Sequence, residues 1–287
     1  MKTVKKIIFG LLAIASFSSC EKIIELDLNN AISVVVVSGQ LSNQSEFWMV
    51  NLSWSKEYYD QTEIKYVTDA EVTIEVSDGT IDTLFYDTLG NYKSKSMNQC
   101  EIGKTYTLNV KHHDKLYTAS EKLFYQEPIE LLQSFYLPKQ NGFIPEGNYV
   151  FEYAKEYEPY GDFYLWRITK NNLLMTDSIG YLLDTDEFRE TGFFNFQIDP
   201  NDPLKDIDKG ILPRPFPWPF QIGDSVVVEQ LRISEKYYDF MFSFATQQQR
   251  SGTPFDPPPA NPPSNIKGGA YGYFSVVNIT KKSVVIQ

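Results

Sequence analysis

Between Ile32 and Ala119 the chain repeats a pattern that few folds can use. Trp48, Val50, Leu52 and Trp54 alternate with mostly polar neighbours, as do Ala70, Val72, Ile74 and Val76, and then Tyr106, Leu108 and Val110. Successive side chains of a strand point to opposite faces, so a period of two gives a half-buried strand. Ile32 to Val37 is continuous and β-branched, as in a strand buried on both faces. Turn signals separate the runs. Asp78-Gly79 supplies a tight turn with Thr83 to Tyr86 as the return strand, and Leu89-Gly90-Asn91-Tyr92 leads into another strand. Leu116 to Ala119 follows a polar tip at His113-Asp114. About seven strands with turns every 8–12 residues predict an antiparallel β-sandwich over residues 31–126.

Glu127-Pro128 marks the expected boundary to a second β-rich domain, residues 127–287. Asn148 to Tyr153, Phe163 to Ile168, Leu173 to Leu183, Phe193 to Ile198 and Ser225 to Ile233 have strand-type composition. One helix is expected near residues 235–250. Ser234 can cap it, Glu235 suits its first turn, and Gly252 can end it. Tyr237, Phe240, Met241 and Phe244 fall on one face at i, i+3, i+4 and i+7, which predicts an aromatic stripe packed on a sheet. The fold class is therefore mainly β: an immunoglobulin- or prealbumin-like sandwich, then a β-rich domain with one helix.

The first nineteen residues have a different purpose. Lys2, Lys5 and Lys6 precede an unbroken run from Ile7 to Phe17, then Ser18-Ser19 and Cys20. A charged start, a short apolar stretch and small residues before a cut make a secretory signal, residues 1–19. The stretch is shorter than the roughly 20 apolar residues that cross a bilayer. The cysteine directly after the small pair makes the segment similar to a bacterial lipoprotein signal, in which Cys20 would become the acylated first residue. The alternative is an ordinary secretory peptide with a coincidental cysteine. Residues 20–30 then form a lipidated tether, and its last ten residues extended span about 33–36 Å.

Charge and cysteines narrow the function. The formal charge is −11, and loss of the three lysines in residues 1–19 takes it to −14. Such a chain lacks the clustered cations that bind nucleic acid, and charge alone would not hold it to an anionic membrane. With Cys20 acylated, Cys100 has no disulfide partner and is expected as a buried, unreactive thiol. No second apolar run of spanning length follows the signal, so the body is anchored rather than embedded.

Two resemblances extend this. The segments DAEVTIEVSDGT, LGNY, GKTYTLNV and KLYTAS, within Asp69 to Ala119, look like the prealbumin-like, carboxypeptidase-regulatory type of sandwich, a structural or docking module. The stretch ISEKYYDFMFSFATQQQRSGTPFDPPPANPPSNIKGGAYGYFSV follows a lipoprotein-like cysteine and a VVVSGQLSN first strand. This order of motifs resembles a family of Bacteroidota outer-membrane lipoproteins of unknown function, encoded beside TonB-dependent receptors of the starch-utilisation type. The resemblance implies an outer-membrane protein with such a receptor as partner, its body on the surface or the periplasmic face, with the surface favoured. It supplies no catalytic or binding residues.

The residues themselves offer little chemistry. No G-x-S-x-G elbow is present. His112 and His113 fall at a strand end where alternation sends their rings to opposite sides, while His112 and Asp114 could share a face. Two ligands are too few for zinc without partners from elsewhere, and exposed strand residues are expected there. Asp199, Asp202, Asp206 and Asp208 cluster before Gly210, and Asp206-x-Asp208-x-Gly210 resembles part of a calcium loop. The bidentate Glu of the full loop is replaced by Pro217. A solvated acidic loop and a low-affinity calcium site at Asp206 and Asp208 both remain open. Pro213 to Phe220, PRPFPWPF, is held extended by its prolines. Phe216, Trp218 and Phe220 either project as a contact strip for a receptor or sugar, or fold down and cap the core. Asp82-Thr83-Leu84, Asp87-Thr88-Leu89, Asp177-Ser178-Ile179 and Asp224-Ser225-Val226 resemble an O-glycosylation sequon of exported proteins in that bacterial group.

The expectation is a non-enzymatic lipoprotein that needs no cofactor beyond its lipid and serves a TonB-dependent nutrient uptake system. The alternatives are a stand-alone surface protein for glycan binding or adhesion, and a hydrolase using carboxylate or metal chemistry.

Overall fold

The computed structural model describes residues 33–56, 62–139, 145–154, 161–176, 182–185, 218–248 and 261–287. Cys20, the Asp199–Asp208 cluster, Phe216, Gly252, the expected strand Phe193–Ile198 and the tripeptide Asp177–Ile179 lie outside them. Val34–Ser55 and Glu63–Gln287 form one compact unit. Of a second unit, Met1–Ser33 with Lys56–Thr62, only Ser33, Lys56 and Thr62 are described, and there the Lys56 ammonium donates to the Thr62 carbonyl.

The chain is mainly β, as its alternation predicts. Seven strands fill the first half: β1 (Val35–Ser42), β2 (Glu46–Trp54), β3 (Glu71–Val76), β4 (Ile81–Tyr86), β5 (Asn91–Asn98), β6 (Thr105–His112) and β7 (Lys115–Lys122). The second half adds β8 (Ile129–Leu137), β9 (Gly147–Ala154), β10 (Phe163–Lys170), β11 (Leu173–Leu174), β12 (Leu182–Thr185) and β13 (Ser225–Ile233). Among the described residues one helix, α1 (Glu235–Gln248), and a long strand, β14 (Tyr271–Val285), complete it. The strand order is β11-β10-β13-β14-β1-β2-β5-β4-β3-β6-β7, with β12 also on β10.

In the first half, alternation becomes a two-layered core. β4 pairs with β3 along Val72–Glu75 and with β5 at Phe85 and Tyr86, so the sheet folds over at β4. Val35 and Val37 of β1, Val50 and Leu52 of β2, Ile74 of β3 and Leu108 of β6 meet between the layers, all nearly inaccessible. The expectation of a first strand buried on both faces is corrected: β1 begins at Val35, and only every second valine enters the core. Tyr92 locks the entry to β3, accepting from the Ala70 amide at 3.0 Å and donating to the Val67 carbonyl at 3.2 Å. Cys100 packs in the same core, as expected of a lone apolar thiol.

In the second half, side-chain direction sorts two clusters onto opposite faces of one sheet. Tyr164, Trp166 and Ile168 of β10 and Val226 and Val228 of β13 meet the β8–β9 hairpin through Ile129, Leu132 and Val150. Phe163, Leu165, Leu231 and Ile233 point the other way and meet Tyr237 and Tyr238 of α1. The helix starts as its cap predicts, with the Tyr237 amide donating to Ser234 Oγ at 3.2 Å. Its stripe is corrected in part. Met241 is buried, but Phe244 is 38% exposed, and Tyr238 packs on Phe163 with ring centroids 5.1 Å apart. The single strand expected over Leu173–Leu183 is two short ones, Leu173–Leu174 and Leu182–Thr185, each paired to β10.

β14 joins the halves. Tyr271–Val277 pairs in parallel with β1, and Asn278–Val285 pairs antiparallel with β13. Gly272 makes the approach to β1 possible: its φ is +106°, and a Cβ there would sit 1.9 Å from the Val37 carbonyl oxygen. Asn43 extends the β1 ladder beyond its end, donating from Nδ2 to the Ile279 carbonyl at 3.1 Å and accepting the Ile279 amide at 2.7 Å. The expected boundary after residue 126 is also bridged by side chains. Buried Gln126 donates to the Gln230 side-chain oxygen at 2.7 Å and to Thr280 Oγ1 at 3.0 Å, and it accepts the Arg232 amide at 3.0 Å.

Candidate functional site

β7 is the last strand of the sheet, and an open strand edge requires cover. The segment before β14 provides part of it. Lys267 and Thr118 exchange backbone hydrogen bonds of 2.8 and 3.2 Å. Gly268 follows at φ +96°, where a Cβ would lie 2.2 Å from the Leu116 carbonyl oxygen. Beyond that contact the edge opens into a cleft of about 500 Å3 between β7, residues 263–267, Tyr273 and the first turns of α1. This volume is in the range of small-ligand sites.

A polar triad of buried Glu121 and Tyr273 with half-buried Asn265 forms the inner wall. Glu121 is 7% exposed, and its Oε1 accepts from Tyr273 Oη at 2.9 Å and from Asn265 Nδ2 at 3.0 Å. Asn265 is held in turn by the backbone of Phe274, accepting its amide at 3.1 Å and donating to its carbonyl at 2.7 Å. Tyr237 and Phe240 of α1 lie against the Tyr273 ring, with centroids 4.9 and 5.0 Å away. Burial, and next the Glu121 carboxylate, push the Tyr273 hydroxyl far above the ordinary phenol range. The phenol therefore stays protonated and donates to Glu121. Lys236 and Asp239 of α1 and Lys267 line the outer part, all exposed. Buried polar groups inside and exposed charges outside suit a polar ligand. No His or Cys is among the described lining residues.

This cleft was not legible in sequence. Its walls come from residues 118–121, 236–239 and 263–273. The one local signal was the SNI-Gly-Gly run ahead of the last strand.

Other sequence candidates fall elsewhere. Phe220 is 3% exposed, packs with Ile129 and Val226, and donates its amide to the Asn148 carbonyl at 2.7 Å. An exposed contact role for Phe220 is therefore corrected to the capping one. Trp218 is half-buried against the same cluster, and Phe216, Asp206 and Asp208 lie outside the described residues. Burial pushes the Cys100 thiol up to about 12, which keeps it from acting as a thiolate nucleophile. Thr83, Thr88 and Ser225 of the sequon-like tripeptides are exposed.

The histidine pair is arranged differently from the expectation. Lys115 pairs with His112 across a two-residue turn, and His113 adopts φ +51°. Strand alternation ends there, so the rings do not diverge: their centroids are 4.0 Å apart. His112 is 7% exposed, not a surface residue, with its ring 5.7 Å edge-on from Trp54. The carboxylate at the pair is Asp69, whose Oδ1 is 3.1 Å from His112 Nε2.

The fold and cleft thus define a mainly β protein in which one strand, β14, joins the two halves of a continuous sheet whose edge borders a polar cleft. Residues 21–283 match the family described as a domain of unknown function, DUF4249, and the chain belongs to that family. No curated protein matches the chain.

Proposed function

We propose that this protein is a non-enzymatic outer-membrane lipoprotein, anchored through acylated Cys20, with its body on the cell surface. It acts as an accessory, ligand-binding component of a TonB-dependent nutrient uptake system. The observation that carries this reading is the signal-like segment ending at Cys20, with the family match beginning at the next residue, 21. The resemblance to Bacteroidota lipoproteins encoded beside such receptors supports the partner. The cleft beside Glu121 and Tyr273 supports a binding role, because its polar groups are fixed by packing before any ligand arrives.

Two measurements test it on native membranes. Mass spectrometry of the mature N-terminus should find acylated Cys20 as the first residue. Purification in mild detergent should bring down a large outer-membrane receptor in stable ratio. An unmodified N-terminus elsewhere removes the anchor, and a lone monomer removes the receptor.

The cleft favours a second reading, a surface protein that binds glycans alone. Polysaccharide binding that is lost in Glu121→Ala, by a protein that purifies without a receptor, would select it.

A further inference from the structure

The tip of the β6–β7 hairpin gathers three metal-binding side chains that are separated in the chain. Asp69 precedes β3, His112 ends β6, and His113 opens the turn. One ligand atom from each lies within 4.8 Å of the other two. His112 Nε2 and Asp69 Oδ1 are 3.1 Å apart. Donors held about 2.0–2.1 Å from a tetrahedral zinc ion are roughly 3.3 Å from each other. Two of the three atoms are thus already near the spacing that such an ion requires.

The donors are also oriented. Burial and the edge of Trp54 hold the His112 ring. The left-handed backbone at His113 swings the second imidazole over the first instead of away from it. Asn, Asp and His are the non-glycine residues that enter this region most readily, so the turn accepts His113 at little cost. Asp69 and His113 remain exposed, which gives an ion a path in and an open coordination position. The net charge of −11 adds a field that favours cations.

The geometry points to a metal site: Asp69, His112 and His113 bind one divalent transition cation of the zinc class, with a fourth position left to water or to a donor from a bound molecule. The ligand set is the reason for the class. Imidazole nitrogen suits zinc and its neighbours, whereas calcium and magnesium take oxygen. The site shares no residue with the Glu121 cleft, and it does not depend on the uptake reading. Its ion would tie the segment before β3 to the hairpin tip, and so stabilise the sandwich at that end.

The test uses the full chain in detergent, stripped with chelator and titrated with zinc chloride by calorimetry. One ion per chain and a raised melting temperature are expected. Asp69→Asn and His113→Asn should each weaken zinc binding by more than about tenfold, since even outer partners of a metal site cost roughly 10–100-fold. Asn at position 113 keeps the turn, so the metal-free melting temperature of His113→Asn should match that of the parent. If Asp69→Asn fails to fold, His113→Asn carries the comparison. Absence of zinc heat at millimolar metal overturns the site. Undiminished zinc binding by His113→Asn, or calcium binding as tight as zinc, does the same.

Discussion

The side chain of Asn265 stands in for a strand along Phe274, exchanging both backbone hydrogen bonds with it at 3.1 and 2.7 Å. Asn43 does the same for Ile279 from the other side of β14. Carboxamides thus cover stretches of backbone that no neighbouring strand reaches. A donor or acceptor left unpaired inside a protein costs more than the bond itself contributes.

Asn265→Ala should therefore destabilise the protein by about 2 kcal/mol. It orphans the Phe274 amide and carbonyl and removes one of two donors to Glu121. Urea denaturation gives the cost. Asn265→Asp, which keeps the acceptor but loses the donor and sets a second carboxylate beside Glu121, should not restore stability.

Gln126→Leu should cost about 2–3 kcal/mol. The leucine is of similar size, but it leaves the Arg232 amide and the Gln230 side chain without their partner. One cooperative urea transition in this variant, shifted to lower midpoint, would show that both halves still unfold together. Two separated transitions would show that Gln126 couples them.

Gly272→Ala should cost at least about 3 kcal/mol, because the added carbon meets the Val37 oxygen and the backbone angle is one that L-residues avoid. The loss should appear as low soluble yield and as faster amide exchange in β1, whose pairing with β14 depends on that approach.

Stability should decline in alkali. Burial pushes the Cys100 thiol from 9.0 up to about 12 and the Tyr106 phenol from 10.0 up to about 12, and it raises Tyr273 as well. In the unfolded chain these groups lose their protons first, so the folded state holds more protons above about pH 9. Stability is then intact below that value and falls as pH rises towards about 12. The urea midpoint, compared between about pH 8 and about pH 11, should drop. Cys100→Val should reduce the drop. An unchanged parent midpoint would contradict the burial of all three.

What could be read from sequence followed the physics of burial. β1 to β7 each put one face in the core, so their apolar residues alternate, and the runs at Trp48, Val72 and Tyr106 were visible. β8 was not visible. Its Ile129 and Leu132 enter one cluster while Leu131, Phe135 and Leu137 enter another, and its register shifts between Ile129 and Leu131. A strand apolar on both sides with a bulge has no period to detect. The helix start was legible because Ser234 acts locally, whereas the depth of Phe244 depended on distant packing. The histidine pair shows the same limit. Strand alternation predicted diverging rings, but one positive φ at His113 reversed that, and Asp69 arrives from 43 positions away.

The shared strand sets the order in which the molecule can assemble. β1 and β13 each wait for the same segment, and that segment, Tyr271–Val285, is made after both of them. A growing chain can form hairpins such as β6–β7 and β8–β9 early, since their partners are adjacent. It cannot join its two halves until that segment has emerged. Contacts of such long sequence separation fold slowly. Until then β1 and β13 each keep an open edge available to other proteins.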